Sequence, residues 1–250
     1  MNERMYLLLR SLLIMPSSSS SSPPPSSLNI YLARHGQDQD NAASILNGHR
    51  NQPLTSIGIR QASTVAEKIR SAGLTFDAIY SSPLQRAHQT ALIIASEGQC
   101  LGSECRNSKS ACDSESAVQV MDQLIERDFG IMTGVPAKEI RSRCSRPGEL
   151  LLTDTISYFL KPEGAETFPD LIERANGVIE DIRQQHEGRD ESVLLVTHGD
   201  FGKMLYAAYY ELKWDDVLKQ FHFGNSEVLL LSKDSTSDNA HVFEIKQYNH

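Results

Sequence analysis

Apolar positions in this chain follow two rhythms. Short unbroken runs of aliphatic and β-branched residues alternate with longer stretches in which apolar residues recur every three or four positions. The runs "LNIYLA" (28–33), "FDAIYSS" (76–82) and "SVLLVTHG" (192–199) predict buried strands, and "AVQVM" (117–121) predicts a weaker one. Between them, "IGIRQASTVAEKIRSAG" (57–73) places Ile59, Ala62, Val65, Ala66 and Ile69 on one helical stripe and ends at Gly73, a suitable C-cap. "SPLQRAHQTALIIAS" (82–96) predicts a helix with Ser82 as N-cap, Pro83 in the first position and Gln85 completing a capping box. "FPDLIERANGVIEDIRQQHEG" (168–188) carries Phe168, Leu171, Ile172, Ala175, Val178, Ile179 and Ile182 at helical spacing, and "DFGKMLYAAYYEL" (200–212) predicts the helix after the clearest strand. "SEVLLLS" and "HVFEIKQY", joined by "KDSTSDNA", predict a closing antiparallel pair.

Strands alternating with helices imply an α/β fold of three layers: a mostly parallel sheet, helices on both faces, and an antiparallel C-terminal edge. Residues 28–250 are expected to form this domain, with a polar insertion at about 98–116 and little pattern across 136–160. Residues 1–27 read as a leader: a short apolar run with Arg10, then the low-complexity "PSSSSSSPPPSS". The leader fits an organelle transit peptide, which would direct the chain to a mitochondrion or plastid. Equally, Met15 is a workable start and the chain cytoplasmic.

Composition narrows the function classes. A net charge of -8 argues against general nucleic-acid binding, so any anionic ligand must be met by cations placed locally. No apolar stretch is long enough for a membrane span. Cys100, Cys105, Cys112 and Cys144 contain no C-x-x-C pair and suit a reduced compartment rather than a disulfide scaffold.

In mostly parallel sheets ligands sit beyond the carboxyl ends of the strands. Three strand ends here carry related chemistry: Arg34-His35-Gly36, then Ser81-Ser82 with Arg86 four residues on, then Thr197-His198-Gly199-Asp200. Each alone reads as a solvated turn or helix residue. Jointly, two histidines and two arginines converge on one sheet edge, and arginine forks match phosphate oxygens. Arg86 also falls in the first turn of its helix, where free N–H groups favour anions.

These motifs, with Asn41, "NG" at Asn47-Gly48, "PLTSIGIRQA", "SSPLQRAHQTA" and "LIERDFG", occur in an order that resembles the histidine phosphatase superfamily, the phosphoglycerate mutase-like enzymes. The resemblance covers Leu28 to about Leu231. It implies His35 as a nucleophile forming a phosphohistidine. It also implies that Arg34, Arg86 and His198 hold the phosphoryl oxygens, and that Asn41, Asn47, Gly48 and Gly199 complete the cradle. Glu126 would protonate the leaving oxygen and then activate water, a contribution of roughly 10²–10⁴-fold. The scheme needs no metal and no cofactor. The partners it leaves are a small phosphorylated substrate and, as an open arrangement, a second copy in a homodimer.

The sequence departs from the family pattern at two positions. Gln37 stands where Glu is common, and Asp38 where a Ser or Thr hydroxyl is common. Asp38 would repel a phosphate unless it turns away, pairs with a cation such as Arg50, or meets a cationic or polyhydroxyl part of the substrate; it is expected to tune substrate preference. The acid motif reads Asp128-Phe129-Gly130 rather than the mutase His-Tyr-Gly, and "KEIRSRCSRPGELL" does not match the mutase paired-arginine segment. A phosphatase is therefore expected ahead of a mutase. Two further readings stay open: a catalytically inactive binding protein, and a metal loop built on Asp38 and Asp40, although the latter lacks the glycine and glutamate of a calcium loop. Arg141, Arg143 and Arg146 form either a solvated face or a grip on an anionic tail.

Overall fold

The computed structural model describes residues 28–98, 117–144, 146–154, 156–186 and 188–243. The leader, most of the 98–116 insertion with Cys100, Cys105 and Cys112, and residues 244–250 lie outside them.

Four of the expected strands, β1 (Asn29–Arg34), β2 (Ala78–Ser81), β3 (Val118–Val120) and β6 (Ser192–Thr197), run parallel in a five-stranded sheet. The order is β3-β2-β6-β1-β7, and β7 (Val228–Leu231) closes the edge antiparallel to β1. The two faces follow from the period of two along each strand. Ile30 and Leu32 of β1 with Val193 and Leu195 of β6 pack against α5 (Phe168–His186), α6 (Gly199–Tyr209) and α7 (Trp214–Gln220). Tyr31 and Ala33 with Leu194 and Val196 pack against α2 (Ser56–Ser71) and α3 (Gln85–Gly98). A smaller apolar cluster joins Phe129, Met132 and Phe159 beside the one-turn helix α4 (Ile140–Arg143) and the hairpin of β4 (Leu150–Leu152) and β5 (Ser157–Phe159). Among the described residues no helix is long and apolar enough to cross a membrane.

Register places the strand ends. Arg34 lies opposite Thr197 in the β1–β6 ladder and Ser81 opposite Val196 in the β2–β6 ladder. His35 N–H then donates to Thr197 O at 3.0 Å, and Ser82 N–H to Val196 O at 3.0 Å. The three motif-bearing turns thus leave one edge side by side.

Several expectations differ from the observed elements. Ile59 is 48% exposed; the buried stripe of α2 runs through Gly58, Ala62, Val65, Ala66 and Ile69. The stripe is as expected except at its first turn, where Gly58 rather than Ile59 faces the turn after β1. The capping box of α3 does not form: Gln85 N–H donates to Asn51 Oδ1 at 2.7 Å, while Ser82 Oγ is engaged by His198. The poorly patterned 136–160 stretch holds α4 and the short hairpin, whose strands of three residues are too brief to show a period. β7 pairs with β1, and its contact with the last expected strand is a single bridge, Leu229 to His241, at the limit of the described residues.

The turn after β1 is clamped to α2 backbone to backbone. A Cβ on Gly36 would lie 2.4 Å from Gly58 O, and one on Gly58 would lie 2.1 Å from Gln37 O. Alanine for glycine inside a helix normally gains up to about 1 kcal/mol. Gly58→Ala is expected to reverse that sign and lose about 1–3 kcal/mol through overpacking, read as a lower urea midpoint with an unchanged m-value.

Candidate active site

His35 and His198 meet edge to face with ring centroids 5.1 Å apart, and Arg86 lies against both. All three are buried. His35 Nδ1 lies 2.6 Å from Gly36 O, so that nitrogen carries the hydrogen and donates. Nε2 is left as the acceptor for Arg86 Nε–H at 3.2 Å. His198 has the opposite tautomer: Nδ1 accepts from Arg86 Nε at 3.1 Å, and Nε2–H donates to Ser82 Oγ at 2.7 Å. Burial, and then the charges of Arg86 and Arg34, hold His35 well below the ordinary 6.5. Burial and Arg86 do the same to His198. Both rings are neutral at neutral pH.

The Arg86 fork is already engaged. Its two terminal nitrogens donate to Arg50 O at 2.7 Å and Gly48 O at 2.8 Å, shaping the Asn47–Arg50 loop. Its Nε faces a third group, Asp38 Oδ2, at 3.2 Å. Asp38 is buried and fully used: Oδ1 caps the one-turn helix α1 (Gln39–Ala42) by accepting from Asn41 N–H, and Oδ2 accepts from Asn47 Nδ2, both at 2.8 Å. The pairing of Asp38 with Arg50 does not occur; Arg50 pairs with Asp40 at 2.7 Å. Gln37 is held by Thr55, whose N–H and hydroxyl donate to its backbone and side-chain oxygens at 2.9 Å each. Asp38 and Asp40 thus face arginines, and no cluster able to hold a metal occurs among the described residues.

Glu126 occupies the start of α6. Its carboxylate accepts from the backbone N–H groups of Phe201 at 3.0 Å, Gly199 at 3.1 Å and Asp200 at 3.4 Å, and from Arg127 N–H at 2.9 Å. These donors and the helix dipole favour the anion. Burial outweighs them and, with the charge of Asp200, raises the Glu126 pKa. Glu126 is buried and does not pair with the Arg127 guanidinium, which turns away to Glu166 O and Phe159 O at 2.8 Å each.

Arg34, Asn41, Asn47, Glu126 and Gly199 line a cavity of about 390 Å³ whose outer walls are largely apolar. His35, Arg86, His198 and Gly48 lie behind its floor rather than on its surface. Arg34 donates to Phe223 O at 2.7 Å, its buried Nε has no hydrogen-bond partner, and its guanidinium lies 3.3 Å from where a Gly199 Cβ would be. Any side chain at 199 would displace it. Arg141, Arg143 and Arg146 stay away from this cavity and bond Ser157, Glu139 and Glu149.

Several residues that shape the site take no role from the sequence motifs, although Thr90 and Asp200 lie inside two of them. Thr90 Oγ1 accepts from Gly36 N–H at 3.1 Å and donates to Arg86 O at 2.7 Å, tying the two turns together. Asn225 Nδ2 donates to His35 O at 3.0 Å. Lys203, Tyr158 and Asp200 line the cavity beyond Glu126. Lys203 has one signal, its place one helical turn after Gly199.

A family model described as the histidine phosphatase superfamily (branch 1) matches residues 30–244. A 2,3-bisphosphoglycerate-dependent phosphoglycerate mutase of Brucella melitensis is 30% identical over 212 residues, covering 84% of this chain and 95% of its own. A mycobacterial glucosyl-3-phosphoglycerate phosphatase has a similar structure, with a TM-score of 0.63 at 24% identity over 89% of this chain and 99% of its own. A phosphoserine phosphatase of Entamoeba histolytica, in complex with 3-phosphoglyceric acid, gives 0.57 at 24% over 81% and 89%.

The lowered histidines set a pH dependence of stability. Each is neutral in the folded state and protonates near 6.5 when unfolded, so the unfolded chain binds more protons below that pH and stability falls as pH drops. Each contributes a slope of up to about 1.4 kcal/mol per pH unit. His198→Asn is expected to reduce the slope between pH 6.5 and 5 by that amount in denaturant titrations.

Proposed function

The chain belongs to the histidine phosphatase superfamily, and from that membership we propose that it is a phosphomonoesterase acting through a phosphohistidine on His35, with residues 28–250 as its catalytic unit. The observation that carries this reading is the fixed tautomer of His35: its Nδ1–H is held by Gly36 O, and its Nε2 lone pair faces Arg86.

A phosphoryl group entering past Arg34 takes over the Arg86 Nε–H that His35 and His198 now share, with a shift of the Asn47–Gly48 loop that Arg86 holds. His35 Nε2 attacks phosphorus as the bond to the leaving oxygen breaks. Arg34, Arg86 and His198 meet the charge on the remaining oxygens. Asn41, Asn47 and Gly199 border the same space, and Gly48 joins them as its loop moves. Glu126, whose pKa burial raises, gives a proton to the leaving alkoxide. The carboxylate then takes a proton from water, whose oxygen displaces His35 and releases inorganic phosphate.

The likeness to mutases supports a second reading, transfer of the phosphoryl group back to an organic acceptor instead of to water. Hydrolysis is favoured by the acid motif Asp128-Phe129-Gly130 and by the commitment of Arg141, Arg143 and Arg146 to Ser157, Glu139 and Glu149. A screen of small phosphate esters, with phosphate release and isomer formation followed together, distinguishes the two readings. Phosphate release should depend on His35, and rapid acid-free quenching should trap an acid-labile phosphohistidine that His35→Ala lacks. Full activity in His35→Ala would overturn the mechanism.

Attack needs neutral His35, so kcat/KM should rise with pH through its lowered pKa. Proton donation needs protonated Glu126, so kcat/KM should fall through a pKa raised above the usual carboxylate range. Glu126→Ala is expected to lose about 10²–10⁴-fold and the alkaline limb, with a smaller loss on p-nitrophenyl phosphate, whose leaving group needs no proton.

A further inference from the structure

Lys203 poses a separate physical problem. It is buried on α6 with 6% of its surface exposed, and it lines the same cavity as Arg34 and Glu126. Buried charges are ordinarily paired with opposite charges. Among the described residues the one hydrogen bond of its ammonium group is to a neutral group, Tyr158 Oη, at 2.7 Å. Because the ammonium only donates, the phenol oxygen accepts and its own hydrogen is left to point elsewhere. The nearest carboxylate on the helix, Asp200, lies 3.5 Å from Arg127 and favours the lysine ammonium by its charge, but it makes no hydrogen bond to it. Glu126 is wrapped by backbone N–H groups. Among the described residues neither Arg34 nor Lys203 forms an ion pair within 4 Å, so the two cavity cations lack a direct carboxylate contact.

Their placement along α6 separates their tasks. Arg34 lies over Gly199, beside the Glu126 carboxylate. Lys203 follows one turn later on the same helix face, about 6 Å further along the axis. A phosphoryl group held at Arg34 leaves Lys203 within reach of a second group a few bonds away on the same small molecule.

Resting on the phosphatase reading above, we propose that Lys203 and Tyr158 form a second anion subsite, and that the preferred substrate is a phosphate ester that also carries an acidic group, a carboxylate or a second phosphate. The anion receives the free ammonium hydrogens of Lys203 and the hydroxyl hydrogen of Tyr158. This supplies the direct charge contact that the fold withholds from the lysine.

The test separates binding from turnover. His35→Ala protein is titrated calorimetrically with three probes: glycerol 3-phosphate, in which the second group is neutral; 3-phosphoglycerate, which carries a carboxylate; and glycerol 1,3-bisphosphate. Tighter binding of at least one acidic probe, by about 10–100-fold for a charge-assisted contact, is expected. The two acidic arms tell carboxylate from phosphate. Adding Lys203→Met should abolish the preference, and Tyr158→Phe should weaken it. Since a lysine buried without a direct charge partner does not stabilise the fold, Lys203→Met should leave Tm unchanged or higher. Equal binding of all three probes, a preference that survives Lys203→Met, or a fall in Tm with equal loss on every probe would overturn the subsite. Absence of phosphate release from the His35-intact protein would sink the phosphatase reading while leaving the binding result to stand.

Discussion

A fully buried arginine organises this site. Arg86 places one guanidinium among Asp38, two imidazole nitrogens and two loop carbonyls, with no solvent to screen it. Desolvating such a charge costs several kcal/mol unless the ion pair and the remaining hydrogen bonds are all in place. Here every nitrogen has a partner. Asp38 can be present in an anion site for the same reason: its charge is consumed by Arg86 and its lone pairs by Asn41 and Asn47. Removing either partner would strand the other in a dry interior, so the loop, the nucleophile turn and the start of α3 hold together or come apart together.

Around that ion pair, burial works in opposite directions on acids and bases. It discourages the charged form of each group, lowering the pKa of both histidines and raising that of Glu126. In the mechanism proposed above, these opposite shifts let a neutral imidazole and a carboxylic acid act side by side. Their separation is architectural, since the histidines end β1 and β6 while the glutamate sits on the N-terminal N–H groups of α6.

Much of this is legible in the residues because it rests on period and on strand ends. The runs around Ile30 and Val193 and the stripe from Phe168 to Ile182 carry the sheet and a helix layer directly. Arg34, His35, Arg86 and His198 could be brought to one edge because parallel strands deliver their carboxyl ends together. Tertiary neighbours decide the remainder. Ile59 fits the helical stripe, yet the first turn is buried through the backbone contact at Gly58, which leaves Ile59 outside. Ser82 does accept from Leu84 N–H at 3.3 Å as a cap would, yet its hydroxyl also accepts from His198 and makes no bond with Gln85. Lys203 reads as an ordinary polar break in an apolar helix, and Tyr158 sits in a strand too short to have a period. Neither residue shows that it faces the other until the chain is folded.

The position of β1 in the sheet has a consequence for assembly. The strand that carries Arg34 into His35 is early in the chain, yet its two neighbours are β6 and β7. During synthesis neither partner exists until residues 192–231 have been made, so most of the chain must emerge before the first strand can be paired on either side. Such non-local pairing must meet the loop-closure entropy before any ladder contact offsets it. The turn after β1 is consequently among the last parts of the backbone to be fixed, and a nascent or prematurely ended chain holds His35 without the hydrogen bonds that fix its tautomer.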